Sequence, residues 1–258
     1  MQPGTFYGVG IGPGDPELVT LKAARLIRSC EVIFTVVSAH VSESVSEDVV
    51  RALEPKGRIV RLTFSMSRDR AERDRQFAVN AGLIAAELKE GRDCVFATLG
   101  DTLSYSTCGY MLPLLKEAVP GLRAEIVPGI TSWSALAARA GTVLVENRES
   151  LRVVPSFTKD MAETIAFEPG CATVLLKTYR SRAALTERLR REKCDVLYGE
   201  NLTQQGEFLT TDLDEIDARD ENYLSLMVVR PKQPAPRRAP QTAPSADAAD
   251  APGADRTE

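Results

Sequence analysis

The sequence is poor in the residues that most often carry metal or nucleophilic chemistry. Its 258 residues include one histidine, His40, and five cysteines. A Ser-His-Asp site would have to use His40, which lies in the serine-rich stretch VSAHVSESVSED and is interpreted as a loop residue. The cysteines form no C-x-x-C pair, so we expect reduced thiols in a cytoplasmic protein, without a disulfide framework or a metal site.

A basic excess and long apolar runs are also missing. The formal net charge is -4 and the isoelectric point about 5.4, whereas a nucleic-acid-binding surface normally needs a basic excess. No apolar run approaches the roughly 18 residues that a membrane-spanning helix needs. The N-terminal residues lack the charged and apolar regions of a signal peptide. We therefore expect neither a nucleic-acid partner nor a membrane location.

Short apolar runs alternate with helical patterns in the first half of the chain. Strands are predicted at residues 5–11, 31–37, 58–62 and 93–99, and helices at 16–29, 46–53 and 69–90. This alternation is typical of an α/β protein with a largely parallel sheet and helices on both faces. We assign it to an N-terminal domain over residues 1–118.

A second alternating region follows the stretch AVPGLRA, and we assign it to a C-terminal α/β domain over residues 122–230. Strands are predicted at 172–180, 194–201 and 221–230, and their hairpin-like connections indicate a mixed sheet. From 231 to 258 the chain is rich in proline, alanine and small polar residues and has no aliphatic β-branched, leucine or aromatic residue. We predict a disordered tail there, whose role stays open.

A glycine-rich turn follows the first predicted strand, in the stretch FYGVGIGPGDPELVTLKAA. The dinucleotide fingerprint G-x-G-x-x-G fails in both frames, because Pro13 or Asp15 stands at the third glycine. Asp15 instead has the features of a helix N-cap, followed by Pro16 at the first helical position. The helix end is thus occupied by its own acidic residues, so the turn is poorly suited to a phosphate.

Three turns stand out together: GVGIGPGDPELVTLKA at 8–23, TLGDTLSYST at 98–107 and IVPGITSWSALAARAG at 126–141. Each alone is consistent with ordinary turn glycines or an aspartate-capped turn. In this order and spacing, together with SMSRDRAERD and YGENLTQQGE, they resemble the tetrapyrrole methylases of the cobalamin and siroheme pathways. More narrowly, they resemble the branch that methylates C-20 of precorrin-2, over about residues 5 to 230.

The resemblance implies two α/β domains, a homodimer, and S-adenosylmethionine bound in a cleft between the domains. The glycine-rich turn would form one wall, where missing side chains let ligand and backbone approach closely. Thr102 stands where most relatives have proline, which we expect to loosen the second turn. Trp133 is interpreted as a core residue. Carried over position by position, the expected donor-binding residues are Pro13, Leu99, Gly100, Asp101, Ser104, Tyr105, Thr131, Ser132, Leu176, Asn201, Leu202 and Ser225, with Leu226 as an alternative to Ser225.

The implied chemistry depends on positioning more than on a strong acid or base, because the sulfonium is a good leaving group and the nucleophile is a carbon of the substrate. No catalytic base is assigned; Asp101 and Tyr105 are candidates for assisting proton loss. The tetrapyrrole substrate carries several carboxylates, which arginine binds well. The candidate substrate-binding residues are Gly12, Asp15, Arg68, Arg70, Arg139, Arg148 and Arg180.

We therefore predict a methyltransferase that acts at C-20 of precorrin-2 or of its cobalt-containing counterpart, which the sequence does not separate. One alternative is methylation at another ring position, as in uroporphyrinogen III methylation. The other is a sensor that binds S-adenosylmethionine or a tetrapyrrole without turnover.

Overall fold

The computed structural model describes residues 2–38, 44–65, 67, 69–155 and 159–232, excluding the side chains of Lys159 and Arg180. His40, Arg68 and nearly all of the predicted tail lie outside the described residues. No helix in the described ranges is long and apolar enough to cross a membrane.

The first half forms a five-stranded sheet in the order β3-β2-β4-β1-β5, with every neighbouring pair parallel. The expectation of a largely parallel sheet is confirmed. Along each strand, alternate side chains enter two cores on opposite faces, Phe34 and Phe96 on one and Ile33 and Val95 on the other. The strands are β1 (Thr5–Gly10), β2 (Val32–Ser38), β3 (Arg58–Phe64), β4 (Cys94–Thr98) and β5 (Arg123–Val127).

Strand β5 belongs to this first sheet, although the boundary drawn from the sequence placed it in the C-terminal domain. It pairs with β1 along its whole length, with Phe6 opposite Ala124 and Val9 opposite Val127. The proline and glycine of AVPGLRA therefore form the loop before an edge strand of the first sheet. They looked like a boundary because a loop inside a domain and a linker use the same turn residues.

The helices of the first half are α1 (Leu21–Ser29), α2 (Val45–Ala52), α3 (Arg70–Lys89) and α4 (Cys108–Ala118). The helix predicted over 16–29 is interrupted. A 3-10 turn, Pro16–Leu18, begins at Asp15, whose side chain accepts the Glu17 N–H as predicted for an N-cap. The chain is then extended at Thr20, which caps α1 by accepting the Ala23 N–H. The apolar pattern continues through Thr20, so the sequence predicted one helix over 16–29 and missed this second cap.

The second half forms a mixed sheet in the order β6-β7-β10-β8-β9, in which only β6 and β7 are parallel. The mixed sheet is as predicted. The strand predicted over 172–180 ends at Leu176, because Lys177 is left-handed (φ 58°) and a 3-10 turn follows. The strands are β6 (Ser150–Val154), β7 (Cys171–Leu176), β8 (Cys194–Glu200), β9 (Phe208–Thr210) and β10 (Ser225–Pro231), and the helices are α5 (Ser132–Ala140), α6 (Lys159–Thr164), α7 (Arg182–Glu192) and α8 (Leu213–Asp217).

Candidate functional site

The three turns singled out in the sequence meet backbone to backbone beyond the carboxyl ends of β1, β4 and β5. Gly12 and Gly100 exchange two hydrogen bonds, with N···O distances of 3.2 and 2.6 Å. A Cβ added to Gly129 would lie 2.1 Å from the Gly100 carbonyl oxygen, and one added to Gly10 would lie 2.6 Å from the Gly129 nitrogen. Glycine is therefore required at 10 and 129 because another backbone occupies the place of the side chain.

Asp101 joins the second turn to the third. Its Oδ1 accepts the Gly129 N–H at 3.1 Å, and its Oδ2 accepts the N–H groups of Leu103 and Ser104 at 3.1 and 2.9 Å. Burial favours the neutral acid, but these hydrogen bonds outweigh it and lower the pKa of Asp101 below its usual value. The carboxylate is thus a weak base that is already engaged in holding the turn.

Thr102 is itself bonded into this junction, while the expectation that it makes the turn looser than a proline would stays a prediction. Its side chain is fully buried, and its hydroxyl donates a hydrogen bond to the Val127 carbonyl at the end of β5. A proline at this position could not make that contact. The threonine lacks the conformational restriction of a proline ring, but its hydrogen bond connects the second turn to the end of β5.

A cleft opens beside this junction, between the turns of the first sheet and the adjoining ends of β7, β8 and β10 in the second sheet. Of the residues predicted to bind the donor, all but Asn201 line it, and Leu226 lines it as well. Asn201 lies next to the cleft, where its N–H donates to the Leu224 carbonyl at 3.0 Å. The sequence did not predict six further lining residues, which are Trp133, Pro155, Lys177, Gln204, Tyr223 and Leu224.

The walls suit a ligand that has a flat apolar part and a polar part. Leu176, Leu202 and Leu226 contribute apolar surface from the second sheet. Gly100 faces the cleft with φ 76°, and a Cβ added to it would meet no protein atom within 4 Å. The space in front of Gly100 is therefore open to a ligand, next to the polar side chain of Ser104.

Four residues at the edges of the cleft adopt the left-handed conformation that residues other than glycine rarely adopt. They are Tyr105 (φ 56°), Lys177 (φ 58°), Asn201 (φ 46°) and Thr203 (φ 62°). Tyr105 reaches across the cleft, where its hydroxyl donates to the Val153 carbonyl at 3.1 Å. Such conformations concentrate at functional sites, where surrounding contacts maintain them.

The lining residues that the sequence missed had weak signals at most. Gln204 lies within the quoted stretch YGENLTQQGE, and Lys177 directly follows Leu176. Their roles depend on left-handed residues after β7 and β8, which no apolar pattern reveals. Trp133 packs against the apolar cluster of the second sheet, which agrees with its interpretation as a core residue. It also lines the cleft, which that interpretation did not include.

The candidate substrate-binding residues are mostly engaged elsewhere. The Asp15 N–H donates to Thr203 Oγ1 at 3.1 Å, and Gly12 is in the backbone bridge to Gly100. Arg139 forms a two-point ion pair with Glu207. None of Gly12, Asp15 and Arg139 lines this cleft, and their contacts with the substrate stay predictions.

The two remaining arginine candidates with described side chains are on the surface. Arg70 is paired with Asp74 on α3 at 3.6 Å, and Arg148 is exposed. The side chain of Arg180 and all of Arg68 lie outside the described part of the chain. Their contacts with substrate therefore stay predictions.

The fold and the site define a class: two-sheet α/β proteins that bind a ligand in a cleft at the carboxyl ends of the parallel strands. Residues 5–217 match the tetrapyrrole (corrin/porphyrin) methylases, and the chain belongs to this family. The resemblance stated from the three turns is thus confirmed, and with it the assignment as a methyltransferase.

Two relatives cover nearly the whole chain. It is 31% identical to the cobalt-precorrin-2 C(20)-methyltransferase of Salmonella typhimurium, over 88% of this chain and 96% of that protein. It is 33% identical to the probable cobalt-precorrin-2 C(20)-methyltransferase of Methanocaldococcus jannaschii, over 87% and 95%. The structure of uroporphyrin-III C-methyl transferase from Thermus thermophilus complexed with S-adenyl homocysteine has the same fold, with a TM-score of 0.62 and 22% identity over 88% of this chain and 92% of that one.

Proposed function

We propose that this protein transfers a methyl group from S-adenosylmethionine to C-20 of cobalt-precorrin-2 or precorrin-2, a step in cobalamin biosynthesis. The observation that carries the proposal is the similarity, over 87–88% of the chain, to two relatives named for this reaction. The cobalt form is the first candidate substrate, because both names specify it. The grouping of the predicted donor residues around one cleft supports the proposal independently.

The residues of the cleft fit this donor. When bound, S-adenosylmethionine supplies an electrophilic methyl group on a positively charged sulfur. Leu176, Leu202 and Leu226 would pack against the nucleoside, and the open backbone at Gly100 and the side chain of Ser104 would hold the methionine part. This set provides apolar contact at one end of the donor and polar contact at the other, as small-molecule sites commonly do.

The protein would accelerate the reaction by holding donor and substrate in line and by excluding water from the cleft. The three turns supply fixed backbone dipoles that need no rearrangement as the positive charge disperses. Asp101 and Tyr105 already form hydrogen bonds within the protein. We assign them to shaping the cleft and not to removing the C-20 proton.

A homodimer and a cytoplasmic location are part of the proposal. Val79, Leu83 and Tyr110 are large apolar side chains that are more than half or about half exposed on α3 and α4, which is costly for an isolated subunit. All five cysteines are free thiols, as expected in a reducing compartment.

The direct test supplies S-adenosylmethionine with an isotopically labelled methyl group and, in parallel reactions, cobalt-precorrin-2 and precorrin-2. We expect a product that is one methyl group heavier and labelled at the C-20 meso carbon, by mass spectrometry and NMR. A label on a pyrrole ring would instead support an enzyme of the uroporphyrinogen III methyltransferase type. Donor binding without product from either substrate would favour a sensor.

A further inference from the structure

The chain that follows β8 makes a turn, residues 201–204, that the rest of the molecule must hold in place. Asn201 and Thr203 are both left-handed, with φ 46° and 62°. Between them, Leu202 is 4% exposed and enters the wall of the cleft, and Gln204 lines the cleft from the end of the turn. Two such left-handed residues, separated by one position, persist only where surrounding contacts maintain them.

The carboxylate of Glu207 supplies such contacts. Its Oε2 accepts the Thr203 N–H at 2.6 Å, and its Oε1 accepts Nε and Nη2 of Arg139 at 2.9 and 2.5 Å. Arg139 holds the pKa of Glu207 below its usual value, with a smaller opposing effect of burial. Arg139 lies on α5, whose first residue, Ser132, lines the cleft, so one carboxylate ties two walls together.

The turn is also attached to the glycine-rich turn of the first sheet. Gln204 Nε2 donates to the Pro13 carbonyl at 2.9 Å, and Thr203 Oγ1 accepts the Asp15 N–H at 3.1 Å. A Cβ added to Gly14 would lie 2.4 Å from Gln204 Cγ, so the two turns are in close contact. A displacement of the 201–204 turn would therefore move the cleft boundary on both sheets.

We propose that Glu207, oriented by Arg139, is a positioning residue for the methyl donor: it holds the 201–204 turn in the strained form that places Leu202 and Gln204 in the cleft. Neither Glu207 nor Arg139 lines the cleft, so they act through the turn. This accounts for Arg139, which the sequence singled out as a substrate-binding candidate. The identity of the ligand rests on the proposed function.

The test is the variant Glu207→Gln, assayed by calorimetry with S-adenosylhomocysteine as the probe. Both carboxylate oxygens accept hydrogen bonds, so a glutamine must turn its NH2 group toward a donor, either Arg139 or the Thr203 N–H. Loss of one charge-assisted hydrogen bond predicts a Kd about tenfold higher. In steady-state assays, we expect KM for S-adenosylmethionine to rise by the same factor with a smaller change in kcat.

Glu192→Gln is the matched control, because Glu192 accepts Arg188 Nε at 2.6 Å in an ion pair remote from the cleft. A second variant, Arg139→Lys, keeps the charge but loses the two-point geometry, so we expect an intermediate Kd. Thermal melting of the unliganded variants separates loss of donor affinity from loss of folding.

Three results would overturn the proposal. An unchanged Kd for Glu207→Gln, with normal binding by the wild type, would refute the positioning role and leave the proposed function standing. Equal weakening in Glu207→Gln and Glu192→Gln would show a general loss of stability instead. Failure of the wild type to bind S-adenosylhomocysteine would refute the proposed function together with this inference.

Discussion

Asp101 illustrates how a single side chain can be recognised from sequence while its task is decided by its surroundings. The motif GDTLSYS marks it as a member of a ligand loop, and it does line the cleft. Its two oxygens, however, accept three backbone N–H groups from two different turns. An aspartate with this many backbone donors holds the two turns together, and its removal takes away the acceptor that these three N–H groups share.

We predict that Asp101→Ala weakens donor binding by removing this acceptor. Loss of the hydrogen bonds to Gly129 and Ser104 would loosen the second turn and raise the Kd for S-adenosylhomocysteine about tenfold or more, by calorimetry. Asp74→Ala is the control, because Asp74 is exposed on α3 and its ion pair with Arg70 is long, at 3.6 Å. Equal affinity of Asp101→Ala and wild type would remove Asp101 from the donor site.

At the scale of the element, the junction of β1, β4 and β5 depends on contact between backbones. The alternation of strands and helices was legible in the sequence because buried strands are apolar runs and helices have a 3.6-residue period. The place of β5 in the first sheet could not be predicted in this way, because β5 and its partner β1 are far apart in the chain. The junction itself is held by Gly10, Gly100 and Gly129, which leave no room for a Cβ at two of the three positions.

We predict that Gly129→Ala separates the third turn from the second. The added Cβ would lie 2.1 Å from the Gly100 oxygen, a backbone atom that cannot rotate away. We expect a loss of about 1–3 kcal/mol in the free energy of unfolding, measured with urea, together with weaker binding of S-adenosylhomocysteine.

Gly82→Ala is the matched control for this change. Gly82 is exposed within α3, and a Cβ added there would meet nothing within 4 Å. Replacing a helical glycine by alanine should raise the free energy of unfolding by about 1 kcal/mol. A neutral Gly129→Ala would contradict the close contact between the turns.

At the scale of the whole molecule, two sets of contacts bridge the sheets across the cleft. Tyr105 reaches the Val153 carbonyl on one side, and Gln204 reaches the Pro13 carbonyl on the other. A ligand between them would touch both sheets and so stabilise their arrangement by mass action. These contacts all lie within one subunit, whereas the proposed homodimer would form through the exposed apolar side chains of α3 and α4.

We predict that the protein is a dimer in solution. Burial of the exposed apolar side chains of α3 and α4 against a second copy would remove them from water. Sedimentation velocity should therefore give about twice the subunit mass of 28.1 kDa. A single species at the subunit mass, at micromolar concentration, would contradict the dimer.

The sequence by itself determined the local features of this protein: the apolar strands, the N-cap at Asp15 and the residue types of the three turns. It also indicated the family, because the order and spacing of those turns are a one-dimensional pattern. Only the tertiary structure decided which side chains share an environment. It placed β5 beside β1, paired Arg139 with Glu207 in an ion pair, and formed the hydrogen bond from Gln204 to the Pro13 carbonyl. The physical reason is that backbone periodicity acts between near neighbours in the chain, whereas a hydrogen bond between residues 13 and 204 depends on how the two sheets pack.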